Sequence, residues 1–232
     1  MQITNQNQKI NFGGIPLGVA KVVGRDGKAA ELSLYKITKK DDEFLGKLER
    51  SVDAKKLQDG FNDDQYALWN FLIKNGISEC RYRGTGFLVT KDNVPCGILS
   101  YQPRYFTVSV PDVATWPVEK NKKVPFAGKA MFMELFKHVL KNDDYSQVSL
   151  VAMKDSVYSP AEHYKSLWFR KTSENKTDIR MVITIGRMKK ALEDFKSLID
   201  FTPAKNQDEV DLAKVLKLKK RKIMDIFKHN KN

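Results

Sequence analysis

The apolar residues of the chain first recur in two runs that a turn signal separates. The runs are 15–23 and 30–37, and residues 24–28 between them read Gly-Arg-Asp-Gly-Lys. Asp-Gly between two apolar runs is a strong hairpin signal, because both residues tolerate the backbone of a tight turn. The pattern therefore predicts an N-terminal β-hairpin. Thr38 follows the second run and can cap a helix that begins near Asp41, since acidic residues favour helix N-termini.

Helical spacing then gives way to strand patterns. The apolar residues at helical spacing predict one or two helices; they are Phe44, Leu45, Leu48 and Val52, then Tyr66, Leu68, Trp69, Phe71, Leu72 and Ile73. Asn75-Gly76 predicts the end of the second of these helices. Beyond it, runs at 87–89 and 97–101 enclose a polar turn at 91–95 and predict a second hairpin. An extended piece over 105–110 follows.

The second half of the chain alternates between helical and strand patterns. The predicted order is a helix over 131–140, a strand over 148–153, a helix around Tyr164, a strand over 179–185, and helices over 188–199 and 212–227. This alternation after a meander of strands is typical of a sheet with helices on both faces. The predicted fold class is α+β, with a mixed, mainly antiparallel sheet flanked by helices. An N-terminal hairpin and a C-terminal helical extension complete it.

Length and composition refine this organisation. The chain has 232 residues, of which 41% are hydrophobic and 30% are charged, as in a globular protein. We predict a mobile leader over 1–11, which is rich in Asn and Gln, one domain over 12–187, and a basic helical extension over 188–232. No stretch approaches the roughly 20 apolar residues that span a bilayer.

The few cysteines and histidines restrict the chemistry and the compartment. Only Cys80 and Cys96 occur, without C-x-x-C spacing, so a reducing cytoplasm is the default expectation. The Asn- and Gln-rich start is also compatible with the leader of a secreted bacterial effector. The three histidines lack metal-ligand spacing, so we predict no metal site.

The positive charge is concentrated at the C-terminus. The formal net charge is +13, and residues 213–232 hold eight basic residues and one acid, which gives +7 in that segment alone. Such a segment can attract nucleic acid or another polyanion. It is equally compatible with a solvated helix face that keeps the protein soluble.

Two segments carry candidate chemistry. Residues 124–130 read Val-Pro-Phe-Ala-Gly-Lys-Ala at the start of a predicted helix. Small residues there let an anion approach backbone amides, and the helix N-terminus adds partial positive charge. The alternative is an ordinary helix start that contains a proline. The second segment, 159–169, places Tyr164 a turn before the aromatic pair Trp168-Phe169, where a tyrosine that only packs its ring is an equally open interpretation.

From about Ala30 to about Arg187 the element order resembles the GNAT acetyltransferase superfamily. The family loop reads Q/R-x-x-G-x-G/A; residues 128–130 fit its second half, while Pro125 stands at its first position. Residues 164–169 are similar to the family pattern of Tyr, three residues and Gly-Phe, with Trp168 in place of Gly. The resemblance implies that Tyr164 protonates a departing thiolate. It also implies that acetyl-CoA is the cofactor and is bound by Val118, Lys123, Phe126, Ala127, Gly128, Lys129 and Ala130.

These observations lead to two functional hypotheses. The first is an acetyl-CoA-dependent N-acetyltransferase in which an amine of unspecified class attacks the thioester directly. Asp112 and Glu119 are the candidate general bases that the resemblance suggests, but an ordinary surface carboxylate is the commoner role for such residues, and the base stays unassigned. The second hypothesis is a non-catalytic binding protein on the same scaffold, with the basic extension engaging nucleic acid or another polyanion.

Overall fold

The computed structural model describes residues 13–24, 27, 29–52, 63–116, 124–154 and 160–216, without the side chains of 63–69. The strands are β1 (Ile15–Val23), β2 (Ala29–Ile37), β3 (Gly86–Lys91), β4 (Val94–Ser100), β5 (Gln102–Arg104), β6 (Thr107–Val110), β7 (Val113–Thr115), β8 (Gln147–Met153), β9 (Arg170–Glu174), β10 (Asp178–Thr184) and β11 (Ile199–Pro203). The α-helices are α1 (Asp42–Ser51), α2 (Asp63–Arg83), α3 (Ala127–Leu140), α4 (Pro160–Lys165), α5 (Ile185–Lys196) and α6 (Leu212–Val215).

Both predicted hairpins form. β1 and β2 pair antiparallel, and Gly27 in their turn has a φ of 76°, which favours glycine. β3 and β4 also pair antiparallel, and Asp92 and Asn93 in their turn both have positive φ, as the favoured two-residue hairpin turn requires. Thr38 caps a short 3-10 helix before α1, accepting a hydrogen bond from the Lys40 amide.

The predicted stop at Asn75-Gly76 is wrong, because α2 continues to Arg83. The next two turns bury Ile77 and Cys80, so tertiary packing favours continuation of the helix. Gly76 lies where the helix passes close to the sheet: a Cβ at this position would lie 3.2 Å from Cγ2 of Ile98. This glycine therefore permits close approach of helix and sheet and does not end the helix.

The strands form two sheets, and between β6 and β7 the chain passes from the second sheet back to the first. The first sheet has the order β11-β1-β2-β3-β4-β7, and the second has the order β5-β6-β8-β10-β9. Among the described strands β6 and β8 form the one parallel pair, and the other pairs are antiparallel. The predicted α+β class with a mixed, mainly antiparallel sheet is confirmed.

Helices cover the sheets from two sides. One apolar cluster joins β6 and β8 to α3 and α5, through residues such as Val110, Leu150 and Phe136. A second cluster packs α1 and α2 against the other face of the first sheet, where Ala114 and Trp116 are buried. Cys80 and Cys96 are buried and form no disulfide. No helix within the described ranges combines the length and apolarity needed to cross a lipid bilayer.

The chain after α5 differs from the predicted helical pattern. α5 forms as predicted and buries Met188, Ala191 and Phe195. Ile199, which was predicted to continue that helix, instead begins β11 and pairs with Val22 at the edge of the first sheet. The predicted leader over 1–11 and residues 217–232, which hold most of the predicted basic helix, lie outside the described residues. The division of the chain at 11 and 187 stays a prediction.

Candidate active site

Two neighbouring strands part at one point of the structure. β6 pairs in parallel with β8 as far as the partners Val110 and Leu150. The chain then moves to the other sheet, where Val113 pairs with Leu99 of β4, while β8 continues to Met153. Because β7 and the end of β8 have different partners, the two strands part after Val110, and we refer to this parting as the cleft.

The backbone of β7 directs some of its polar groups toward this cleft. Ser100 donates its N–H to the carbonyl of Asp112, and Trp116 donates to the carbonyl of Cys96. Successive residues of a strand direct their backbone groups to opposite sides, so Val113 and Thr115 face away from β4. Their N–H and C=O groups therefore point to the side on which the cleft opens.

Helix α3 begins next to the same cleft. A Cβ built on Gly128 would have Cγ2 of Thr115 as its nearest neighbour, at 3.9 Å. The packing of the described residues therefore leaves room for a larger side chain here and does not require glycine. The amide of Ala130 donates to the carbonyl of Phe126 at 2.8 Å. The amides that precede Ala130 come before the first bond of the helix ladder, and they carry its partial positive charge.

The predicted cofactor-binding residues fall into four groups. Gly128 and Lys129 are partly exposed at the helix start, whereas Ala127 and Ala130 are buried and can offer only backbone groups. Phe126 precedes the helix in a left-handed conformation, and Nζ of Lys129 lies 5.5 Å from the centre of its ring. Val118 and Lys123 lie outside the described residues.

Tyr164 lies on α4 with its ring against the core. The ring centres of Phe132 and Phe169 are each 6.0 Å away in edge-to-face geometry. Burial raises the pKa of the Tyr164 phenol to about 12, and the negative charge of Asp112 adds to this shift. The phenol therefore stays protonated at neutral pH and lies within electrostatic range of Asp112.

The aromatic pair after Tyr164 lies beyond the helix, which ends at Lys165. Trp168 has a φ of 70°, a conformation that glycine adopts most easily. Contacts with α5 hold it: the indole Nε1 donates to Oδ2 of Asp194 at 2.6 Å, and Nη1 of Arg187 donates to the Trp168 carbonyl at 2.8 Å. Trp168 thus keeps the backbone geometry of a glycine position and adds a bulky side chain.

Asp112 is not the surface carboxylate that its sequence context favoured. It lies between β6 and β7, where the strands part, and is only 8% exposed. Its Oδ2 accepts a hydrogen bond of 2.8 Å from Nδ2 of Asn75 on α2. Burial raises the pKa of its carboxyl group; the Asn75 bond opposes this shift and the charge of Glu79 adds to it. Glu119 lies outside the described residues.

The sequence contained a weak signal for Asp112 and none for Asn75. An acid directly after an apolar strand and Pro111 marks a break in pairing. The sequence pattern indicates only a helix end at Asn75, and the tertiary structure alone brings this residue to Asp112. Among the described residues, no group of three or more His, Cys, Asp or Glu side chains is placed to hold a metal ion.

Comparisons with known proteins give structural matches only. No family model and no curated protein sequence matches the chain. Among the solved structures that match is the PaiA N-acetyltransferase of Thermoplasma acidophilum in complex with coenzyme A, with 15% identity, 66% of this chain and 98% of that chain covered, and a TM-score of 0.46. The ribosomal-protein-S18-alanine N-acetyltransferase of Escherichia coli matches with 14% identity, 66% and 94% covered, and a TM-score of 0.44.

A third match covers more of the chain. RimJ of Mycobacterium smegmatis in complex with CoA-disulfide has 13% identity, 81% of this chain and 97% of that chain covered, and a TM-score of 0.49. With identities of 13–15% and TM-scores of 0.44–0.49, these matches say nothing about the activity of this chain.

Proposed function

We propose that the protein is an acetyl-CoA-dependent N-acetyltransferase that transfers the acetyl group to an amine by direct attack. One observation carries the proposal: β7 and β8 part next to Asp112, the charge of Asp112 reaches the phenol of Tyr164, and α3 begins beside Thr115 of β7. A phosphate site, a base and an acid at one cleft are the groups that this reaction needs.

The start of α3 suits the diphosphate of coenzyme A, which supplies the acetyl group as a thioester. The amides at Ala127 and Gly128 carry the partial positive charge of the helix, and the first turn of α3 contains no acidic residue that would repel phosphate. The side-chain position of Gly128 is open to a ligand. Lys129 adds a positive charge, and we extend the proposed site to Val118 and Lys123.

Asp112 and Tyr164 suit the two proton transfers. Asp112 takes a proton as the amine forms its bond to the acetyl carbon, and Tyr164 gives a proton to the sulfur as the carbon–sulfur bond breaks. The pKa of Asp112 is raised, mainly by burial, which brings a carboxylate base closer to neutral pH. The Val113 amide, which faces the open side of β7, can polarise the thioester carbonyl.

Substitution of Tyr164 tests this assignment. In Tyr164→Phe the ring still packs on Phe132, so we expect kcat to fall about 100-fold while the Kd for acetyl-CoA stays unchanged. Thiol release is followed with a panel of amines: a peptide with a free N-terminus, a lysine peptide, spermidine and an aminoglycoside. Equal losses in kcat and in acetyl-CoA affinity would contradict the acid role and indicate a packing role.

The acceptor class is open, and the basic C-terminal segment offers a second, compatible proposal. Residues 213–232 carry a charge of +7, which favours a role in engaging nucleic acid or another polyanion. A truncation to test this role ends after Leu216, because Leu212 and Leu216 are buried in the core. We expect loss of residues 217–232 to weaken binding to a labelled RNA and to reduce its salt dependence in fluorescence anisotropy. Unchanged binding would refute this role.

A further inference from the structure

One face of α2 is built around Asp112. Asn75 and Glu79 are four residues apart and therefore share a helix face. Asn75 reaches the carboxylate with a hydrogen bond of 2.8 Å. Gly76 lies beside the same residue, because a Cβ at this position would lie in ordinary van der Waals contact with Cβ of Asp112, at 3.5 Å. A helix that only covered the sheet would not require a polar residue at this contact.

The backbone of Asp112 is held independently of α2. Ser100 donates its amide to the Asp112 carbonyl at 2.9 Å, and its Oγ accepts the Asp112 amide at 3.1 Å. These bonds fix where the side chain starts. They do not fix the rotation of the carboxylate, which the bond from Asn75 sets.

We propose that Asn75 is a positioning residue for acetyl transfer: it holds Oδ2 of Asp112 so that Oδ1 is free to face the acceptor amine. This inference rests on the proposed function, because it assumes that Asp112 is the base. Asn75 itself touches neither the amine nor the thioester. It acts through the orientation of the carboxylate, and Glu79 on the same helix face acts on its charge.

The charged and titratable groups around Asp112 give the proposal a directional test. Within the described ranges they are Glu79 and Cys80 on α2, and Tyr164 on α4. The bond from Asn75 lowers the pKa of Asp112, and the charge of Glu79, which pairs with Arg83 at 2.6 Å, raises it. Removal of the Asn75 bond should therefore raise the pKa of Asp112, and removal of the Glu79 charge should lower it.

The experiment compares Asn75→Ala, Glu79→Gln and a control, Asn70→Ala, in the full-length protein. Asn70 lies on the same helix, and its Oδ1 has no hydrogen-bond partner within the described residues. In Asn75→Ala we expect the acid limb of kcat/KM to move to higher pH, kcat at neutral pH to fall about tenfold, and KM for acetyl-CoA to stay constant. In Glu79→Gln the limb moves to lower pH, and in the control it does not move.

Carbon NMR of the Asp112 carboxyl separates this inference from the proposed function. Aspartate labelled with carbon-13 reports the pKa of Asp112 without any acceptor, with Asp112→Asn to assign the signal. An unchanged pKa in Asn75→Ala, or shifts of the same sign in Asn75→Ala and Glu79→Gln, would overturn the positioning role. A rise in Asn75→Ala without any acetyl transfer by the wild type would support the contact and refute the proposed function instead.

Discussion

Two residues of the candidate site have backbone conformations that favour glycine. Phe126 precedes α3 with a φ of 58°, and Trp168 follows Tyr164 with a φ of 70°. A left-handed conformation costs a residue with a side chain roughly 1–2 kcal/mol relative to its usual conformation. Such conformations persist only where surrounding contacts maintain them, and they are concentrated at functional sites. At Trp168 these contacts come from Asp194 and Arg187 of α5.

Two substitutions of Trp168 separate the backbone cost from the side-chain contacts. Trp168→Ala and Trp168→Gly both lose the indole hydrogen bond to Asp194, but only glycine relieves the left-handed backbone. We therefore expect Trp168→Gly to be more stable than Trp168→Ala by about 1 kcal/mol in urea unfolding. Equal stability of the two variants would show that the conformation carries no cost.

Asp41 predicts a pH dependence of stability. Burial raises the pKa of its carboxyl to about 6, hydrogen bonds from Thr38 oppose the shift, and the charges of Glu209 and Asp211 add to it. Because the folded-state pKa lies above the unfolded value, protonated Asp41 favours folding, and this contribution is lost as pH rises from about 4 through 6. Over this range we expect the free energy of unfolding of Asp41→Asn to rise by up to about 3 kcal/mol relative to that of the wild type. Urea unfolding across pH measures the difference, and a difference that does not vary with pH would contradict it.

At the scale of elements, periodicity predicted most of the fold because burial on one face imposes a regular spacing. Both hairpins, α3 and β8 lie where the apolar pattern placed them. The prediction failed where a distant contact overrides a local signal. Asn75-Gly76 resembles a helix end, but Gly76 fits against Ile98 of β4. Ile199 continues a helical stripe, yet the free edge of β1 recruits it into β11.

Replacement by alanine should have opposite effects on stability at two glycines, one at the contact between β1 and β11 and one in α5. Gly18 has a φ of 150°, and a Cβ there would lie 2.4 Å from the backbone oxygen of Thr202 in β11. Gly186, at the second position of α5, has nothing within 4 Å of its Cβ position. We expect Gly18→Ala to lower the free energy of unfolding by about 2 kcal/mol and Gly186→Ala to raise it by about 0.5–1 kcal/mol.

Thermal and urea unfolding of the two variants provide the measurement. Gly186→Ala serves as the control for the general effect of replacing glycine in a structured region. A Gly18→Ala variant as stable as the wild type would mean that β11 can move away from β1 at little cost. The edge strand would then contribute little to the stability of the first sheet.

At the scale of the whole molecule, the site joins residues that are far apart in the sequence. Asp112 lies toward α2, whereas Tyr164 packs on Phe132 of α3. The proposed base and the proposed acid therefore pack toward helices on opposite sides of the sheets. The family resemblance pointed to the start of α3 and to Tyr164, whose catalytic role stays a prediction. The sequence could not predict Asp112 with Asn75, because that contact exists only once α2 lies across the sheet.

Calorimetric titration with coenzyme A tests the central claim most directly, through two glycines in matched positions. Gly128 and Gly186 are each the second residue of a helix whose first turn contains no acidic residue. Glutamate at either position suits a helix N-terminus, so both variants should fold. We predict that the wild type and Gly186→Glu bind coenzyme A alike and that Gly128→Glu binds at least about tenfold more weakly, because the carboxylate repels phosphate at the start of α3. Equal binding by both variants, or no binding by the wild type at millimolar ligand, would contradict the account.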